Sequence, residues 1–371
     1  MNILYSAPEI NLSGGHGGSS HVSDVLASLK NLGHNITLID SRKEATAQIS
    51  KLHSYLVAPF LRTLWHCMFG NADIIYERNR IFGGGAILAG SLFGKPSILE
   101  LNEPAELSFE GLRGAMAQWV FNRVSNKATI ITGTHDSFFN LLPKEKCLLI
   151  TYGTNADKFV PSAPDAELVE KFGLVRGKTI LYCGSFAPWH MLENTIIAAK
   201  DIVANDSEVK FLLLGTGGQF EQIKKLVKSF ALENNVLLLG KVPHTEMFKY
   251  INSADICLAL FDRNYAPFKK YDYFYSPIKV HEYKSCAKPI IASCIGNLKT
   301  LVVDGVNGLL VDEQKPSDIA AVLLKLLSNK QLFKNIAENN RKDVLQNYDW
   351  DIINAKILKA VSARRSKAHS F

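Results

Sequence analysis

The sequence predicts an α/β protein made of two successive doubly wound parallel sheets. Three observations carry this. Short apolar runs alternate with longer amphipathic stretches along the whole chain, the rhythm of strand and crossover helix. The rhythm restarts near residue 178, after a charge-rich segment holding Pro161 and Pro164. The length, 371 residues, suits two domains, since one domain spans about 100–200 residues. With 47% hydrophobic and 21% charged residues, the chain has the apolar mass to offset ordering entropy. That excludes a disordered or fibrous chain.

In the first half, strands are expected at 2–6, 36–39, 74–77, 97–101, 129–132 and 147–150. A helix over 20–32 has Val22, Val25, Leu26 and Leu29 at helical spacing and ends at Gly33. In the second half, strands are expected at 178–182, 210–214, 236–239, 256–260, 289–292 and 308–311. Helices are expected at 192–203, 220–232, 245–253, from 279 to 286, at 316–327 and at 330–348. Such alternation implies parallel sheets with helices on both faces.

The net charge of +7 is modest for this length and argues against a nucleic-acid binder. The excess is uneven. Residues 1–165 hold 14 basic and 14 acidic residues, so residues 166–371 carry all of it, and the segment 356–371 has Lys356, Lys359, Arg364, Arg365 and Lys367 with no acid. Six cysteines without a C-x-x-C pair read as free thiols of a reducing compartment. The sequence opens like a first strand, without a basic, apolar leader, so a cytoplasmic location is expected. No apolar run reaches the roughly 18–20 residues of a membrane span. Tyr55–Phe69 comes nearest and is broken by Pro59, Arg62 and His66. Together with the basic tail it allows a peripheral contact with anionic lipid, the alternative being a core helix and a solvated tail.

Ligands of open α/β sheets bind at the carboxyl ends of the strands. Four loops there stand out. Ser13–Ser19 is glycine-rich and leads into a helix, offering backbone N–H groups to an anion, without the G-x-G-x-x-G spacing of a dinucleotide site. Gly184–His190 carries Ser185, Trp189 and His190, and Gly215-Thr216-Gly217-Gly218 follows the next strand. The fourth is Ser276–Lys284. With Pro277 at a helix start, Lys279 and Glu282 are three apart on one face. A lysine there can meet phosphates, and a glutamate can accept from the two hydroxyls of a ribose. A surface ion pair is the bland alternative.

These pieces, with Asn155–Pro161, Val236–Pro243, Ala254–Ala259, Pro289–Ser293 and Asp304–Val311, resemble family 4 glycosyltransferases of the GT-B fold over essentially the full length. The resemblance implies two facing Rossmann-like domains with an interdomain cleft. It places an acceptor domain at 1–160, a nucleotide-sugar donor domain at 161–346, and a helix returning to the first domain at 347–371. It implies transfer of a sugar from a nucleotide-diphosphate sugar to a hydroxyl acceptor with retention, without a metal or cofactor, in cell-envelope polysaccharide or glycolipid synthesis. The partners implied are the donor and a saccharide or lipid-linked acceptor. By position, Gly14, Gly15 and Ser185 would approach the donor phosphates, Gly215, Gly217 and Val242 the base, and Glu282 the ribose. Lys279 and His190 would face the diphosphate, with Asn102 and Glu103 toward acceptor or sugar.

The chain departs from the family pattern at telling places. The position eight before Glu282, often a second glutamate, is Phe274, with Asp272 close by. The usual arginine and lysine after Gly184 are Ser185 and His190, and the usual histidine of the first domain is Asn102. These losses leave a non-catalytic nucleotide-sugar-binding partner of another transferase as the alternative.

Overall fold

The computed structural model describes residues 1–12, 17–40, 52–108 and 111–368. It divides into two compact units, Met1–Tyr152 with Trp350–Phe371, and Gly153–Asp349. The chain therefore leaves the first unit earlier than the expected 160/161 changeover. The Tyr152 ring lies against His21 and Trp350 of the first unit, with centroids 4.3 and 6.1 Å away. By contrast, the Phe159 carbonyl accepts from Ser285 Oγ at 2.6 Å and from Arg341 at 3.0 Å, both in the second unit.

In the first unit the strands are β1 (Asn2–Ala7), β2 (Asn35–Asp40), β3 (Ile74–Arg78), β4 (Ser97–Glu100), β5 (Ile130–Gly133) and β6 (Cys147–Leu149). They form a parallel sheet in the order β2-β1-β3-β4-β5-β6. Parallel neighbours require long crossovers, and the amphipathic stretches supply them. Val22, Val25 and Leu29 of the helix Gly17–Asn31 pack on Ile3, Tyr5 and Ile74. The last helix, Trp350–Ala368, puts Trp350, Ile353 and Ile357 into the same core. Glu77, at the end of β3, is fully buried. Its two carboxylate oxygens each accept a backbone N–H, from Gly84 and Ile87 at 2.9 Å, so it closes the start of the helix Gly85–Ser91.

The helix Ala58–Phe69 resolves the choice that the sequence left open between a core helix and an exposed one. Leu61, Trp65, Met68 and Phe69 lie exposed along it, Phe69 by 70%. Among the described residues no helix is long and apolar enough to cross a membrane.

The second unit has β7 (Thr179–Cys183), β8 (Lys210–Leu214), β9 (Val236–Gly240), β10 (Ile256–Ala259), β11 (Ile290–Ser293) and β12 (Leu309–Val311). Their order is β12-β11-β10-β7-β8-β9, all parallel. The chain runs outward from β7 in one direction and then from β10 in the other. That reversal marks a switch point above the carboxyl ends of β7 and β10, the kind of crevice where open α/β sheets bind ligands.

Candidate functional site

Lys279 stands at this switch point. It sits in the first turn of the helix Ile278–Ser285, whose start is set by Pro277 in extended geometry. Its Nζ lies 4.4 Å above the Tyr182 ring of β7 and 5.0 Å from the Phe261 ring just after β10. That nitrogen is shut off from solvent and makes no hydrogen bond. Burial pulls the amine from its ordinary 10.5 down to about 8, against the opposing pull of Cys183 and Glu282. Gly184 makes room for it, since a Cβ there would stand 2.9 Å from Lys279 Nζ and from Tyr182 Oη.

His190 is the neighbour of this amine. Its ring packs on Phe261 at 4.9 Å and Tyr182 at 5.7 Å. Burial and the Lys279 charge hold the imidazole well below its usual range, while the Leu260 backbone bonds it on one side. Its Nδ1 is buried and without a partner. A neutral ring whose N–H is spent on the Leu260 carbonyl offers a lone pair at Nδ1. In that tautomer Nδ1 can accept a hydrogen bond, and the expected place of His190 beside the diphosphate is left standing.

Glu282 lies one turn after Lys279 on the same helix and is almost fully buried. Its Oε1 meets His244 Nε2 at 2.6 Å, and His244 Nδ1 meets Lys158 Nζ at 3.0 Å. The sequence reading missed both partners. Pro243-His244 directly follows Val242 in the loop after β9, a signal that was available. Lys158 lies 124 positions before Glu282 in the chain, and no spacing announces it.

Gly215 and Gly217, expected beside the base, also have a backbone role. The Gly215 N–H donates to the Gly240 carbonyl at 2.7 Å, and a Cβ on Gly215 would lie 1.8 Å from the Gly184 carbonyl oxygen. A Cβ on Gly217 would lie 2.6 Å from the Phe186 carbonyl oxygen. Both residues have positive φ, 131° and 159°. They let the loops after β7 and β8 press together. Ser185 is exposed, and its carbonyl accepts from Tyr182 Oη at 2.7 Å. Val242 is half-buried in the loop after β9. Gly14 and Gly15 lie outside the described residues. Phe274 is fully buried against Phe268 and Tyr271, so the place of the missing glutamate packs the interior, and Asp272 stands exposed on the turn before it.

In the first unit, Asn102 is braced at both ends. Its Oδ1 accepts from Tyr152 Oη at 2.7 Å and its Nδ2 donates to the Asn79 carbonyl at 3.3 Å. Glu103 is half-buried and lines a hollow with Asn79, Arg80 and Phe82. Beneath them Glu100, at the end of β4, accepts from Tyr76 Oη at 2.8 Å and pairs with His21 at 2.7 Å. His21 and Arg78 hold the Glu100 carboxyl below its usual range despite burial. Among the described residues, no cluster of three or more His, Cys, Asp or Glu side chains could hold a metal ion.

Residues 166–343 match the family glycosyl transferases group 1. The second unit is a group 1 glycosyltransferase domain. An uncharacterised glycosyltransferase of Methanocaldococcus jannaschii is 24% identical over 75% of this chain and 72% of its own length. Sucrose-phosphate synthase of Thermosynechococcus elongatus shares the fold, with TM-score 0.75 at 16% identity over 99% of both chains. So does HepE of Anabaena, solved with UDP and glucose, with TM-score 0.70 at 17% identity over 98% of this chain and 100% of that one. The two Rossmann-like units are thus those of the GT-B fold, and Lys279, His190 and Glu282 fall inside the matched range.

Proposed function

We propose that this glycosyltransferase moves a sugar from a nucleotide-diphosphate sugar to a hydroxyl acceptor, with retention and without a metal or cofactor, as a family 4 enzyme. The observation that carries the reading is the buried, unpartnered Lys279 Nζ at the switch point of the second sheet. An ammonium held this way in the interior costs free energy until an anion meets it. The donor diphosphate is such an anion, and HepE, of the same fold, was solved with UDP. Glu282 accepts the ribose hydroxyls, and the loop at Val242 reads the base. His190 Nδ1 accepts a hydroxyl of the transferred sugar. As the leaving diphosphate gains charge, Lys279 and the start of the helix Ile278–Ser285 offset it, fixed before the reaction begins. Asn102 and Glu103 of the first unit take the acceptor. Release of UDP, GDP or ADP from the matching donor sugars tests this. Glu282→Ala should cut turnover by roughly a hundredfold, the loss of a charge-assisted pair of hydrogen bonds. Unchanged turnover in a folded variant would end the site assignment.

The acceptor side favours a lipid-linked saccharide of cell-envelope or glycolipid synthesis, met at the inner face of a membrane. The helices Ala58–Phe69 and Gly111–Lys127 contain no acidic residue. They expose Trp65, Phe69, Leu112 and Trp119 beside Arg62, Arg113 and Arg123, the pairing of apolar and basic groups that suits anionic lipid. The tail contributes less than its charge suggests, because Arg364 turns back to donate to the Lys146 carbonyl at 2.7 Å. In flotation, phosphatidylglycerol vesicles should carry the protein and phosphatidylcholine vesicles should not. A Trp65→Ser/Phe69→Ser variant that floats equally well would remove this contact.

A further inference from the structure

Lys158 and His244 contribute something that the assignment of Glu282 leaves out. An ammonium group has only donors, so His244 Nδ1, 3.0 Å from Lys158 Nζ, must be an accepting lone pair. The ring hydrogen is thereby placed on Nε2, which donates to Glu282 Oε1 at 2.6 Å. The Phe159 ring backs the imidazole at 5.6 Å, and Lys158 Nζ also lies 5.1 Å from that ring. Phe159 cannot yield, because it is fully buried and its carbonyl is tied by Ser285 and Arg341. So one cation sets the tautomer, one ring sets the tilt, and together they fix the rotation of a carboxylate.

We propose that His244, set by Lys158, is a positioning residue that turns the Glu282 carboxylate to receive both hydroxyls of a ribose, and so selects ribonucleotide over 2′-deoxyribonucleotide donors. This rests on Glu282 being the ribose-holding residue. A carboxylate oxygen has two lone pairs, and the hydrogen bond from His244 takes one of them on Oε1. The other oxygen and the remaining lone pair face a vicinal diol in a fixed plane. Left to itself, the carboxylate would turn about its terminal bond, which is broad and weakly preferred, and would meet the diol with one oxygen at a time. His244 stands two residues after Val242, in the loop expected beside the base, so the same short segment serves base and sugar.

Calorimetric titration of the full chain with UDP, GDP and ADP, each beside its 2′-deoxy counterpart, tests the proposal. The wild type should prefer the ribonucleotide roughly tenfold or more, the worth of one hydrogen bond to a charged group. His244→Phe keeps a ring against Phe159 but has no N–H, and should shrink that preference several-fold. It should leave the preference for diphosphate over monophosphate unchanged, since that belongs to Lys279. His244→Gln, which can donate again, should restore much of it. If His244→Phe does not fold, Lys158→Met carries the test with the same narrowing expected. A folded His244→Phe or Lys158→Met variant that discriminates like the wild type overturns the positioning role while the site stands. Glu282→Ala that discriminates like the wild type, or a wild type that binds none of the nucleotides, overturns the site and the inference together.

Discussion

Replacing Lys279 with methionine should make the ligand-free protein more stable and a nucleotide diphosphate weaker in binding. The methionine keeps an unbranched stem against Tyr182 and Phe261 and removes the buried charge. In the fold this amine titrates at about 8, against 10.5 in open solvent. The folded chain therefore gives up its proton first as pH rises. Between about 8 and 10.5 the unfolded chain binds more protons, so stability rises with pH through that window, and below it the full cost of the charge is present. That cost is roughly 3 kcal/mol. Losing the contacts of the ammonium with two aromatic faces returns about 1–2 kcal/mol of it. At pH 7 Lys279→Met should then gain about 1–2 kcal/mol, raising the melting temperature by several degrees, and by pH 10 the wild type should be at least as stable as the variant. Affinity for a nucleotide diphosphate should fall between tenfold and a hundredfold, as expected for a lost charge-assisted hydrogen bond. Scanning calorimetry at pH 7 and 10, with titration of UDP, GDP and ADP, reads both effects. A variant that melts lower than the wild type at pH 7, yet binds the nucleotide equally, would refute the idea of a cation held ready for a phosphate.

Two more outcomes follow from the geometry. Gly215→Ala puts a methyl group 1.8 Å from the Gly184 carbonyl oxygen at a positive φ, so it should cost several kcal/mol and spoil the loop that makes room for Lys279. Denaturant unfolding and nucleotide titration of the same sample would show both losses. Glu77→Ala leaves the buried N–H groups of Gly84 and Ile87 without acceptors and should cost about 2–4 kcal/mol, read as a lower midpoint in urea; no change would mean that these N–H groups find water.

Both sheets were legible in the sequence because a buried parallel strand is a short apolar run, and every expected strand lies where one forms, within a few residues. Helix ends were less so. The expected helix 220–232 stops at Ser229, and 330–348 loosens into a wider turn after Asp343. The wall of the crevice was partly legible. Lys279 and Glu282 share a short motif, so spacing alone brought them together. The contacts that give them meaning come from far away in the chain. Tyr182, Phe261, His244 and Lys158 meet them only once the strand order reverses between β7 and β10. The backbone role of the glycines was hidden for a related reason. A glycine beside a ligand and one that admits a neighbouring backbone look alike in sequence, and the second role shows only in the 1.8 Å approach at Gly215. His190 stood out by its loop alone, and its packing on Tyr182 and Phe261 comes only with the fold.

The central claim is that the crevice above β7 and β10 binds a nucleotide diphosphate through Lys279 and Glu282. Titrating UDP, GDP and ADP into the wild type and into Glu282→Ala by calorimetry tests it most directly. Saturable one-to-one binding of at least one nucleotide to the wild type, weakened at least tenfold in the variant, is the predicted result. Equal binding by both proteins, or no binding by the wild type, would contradict it.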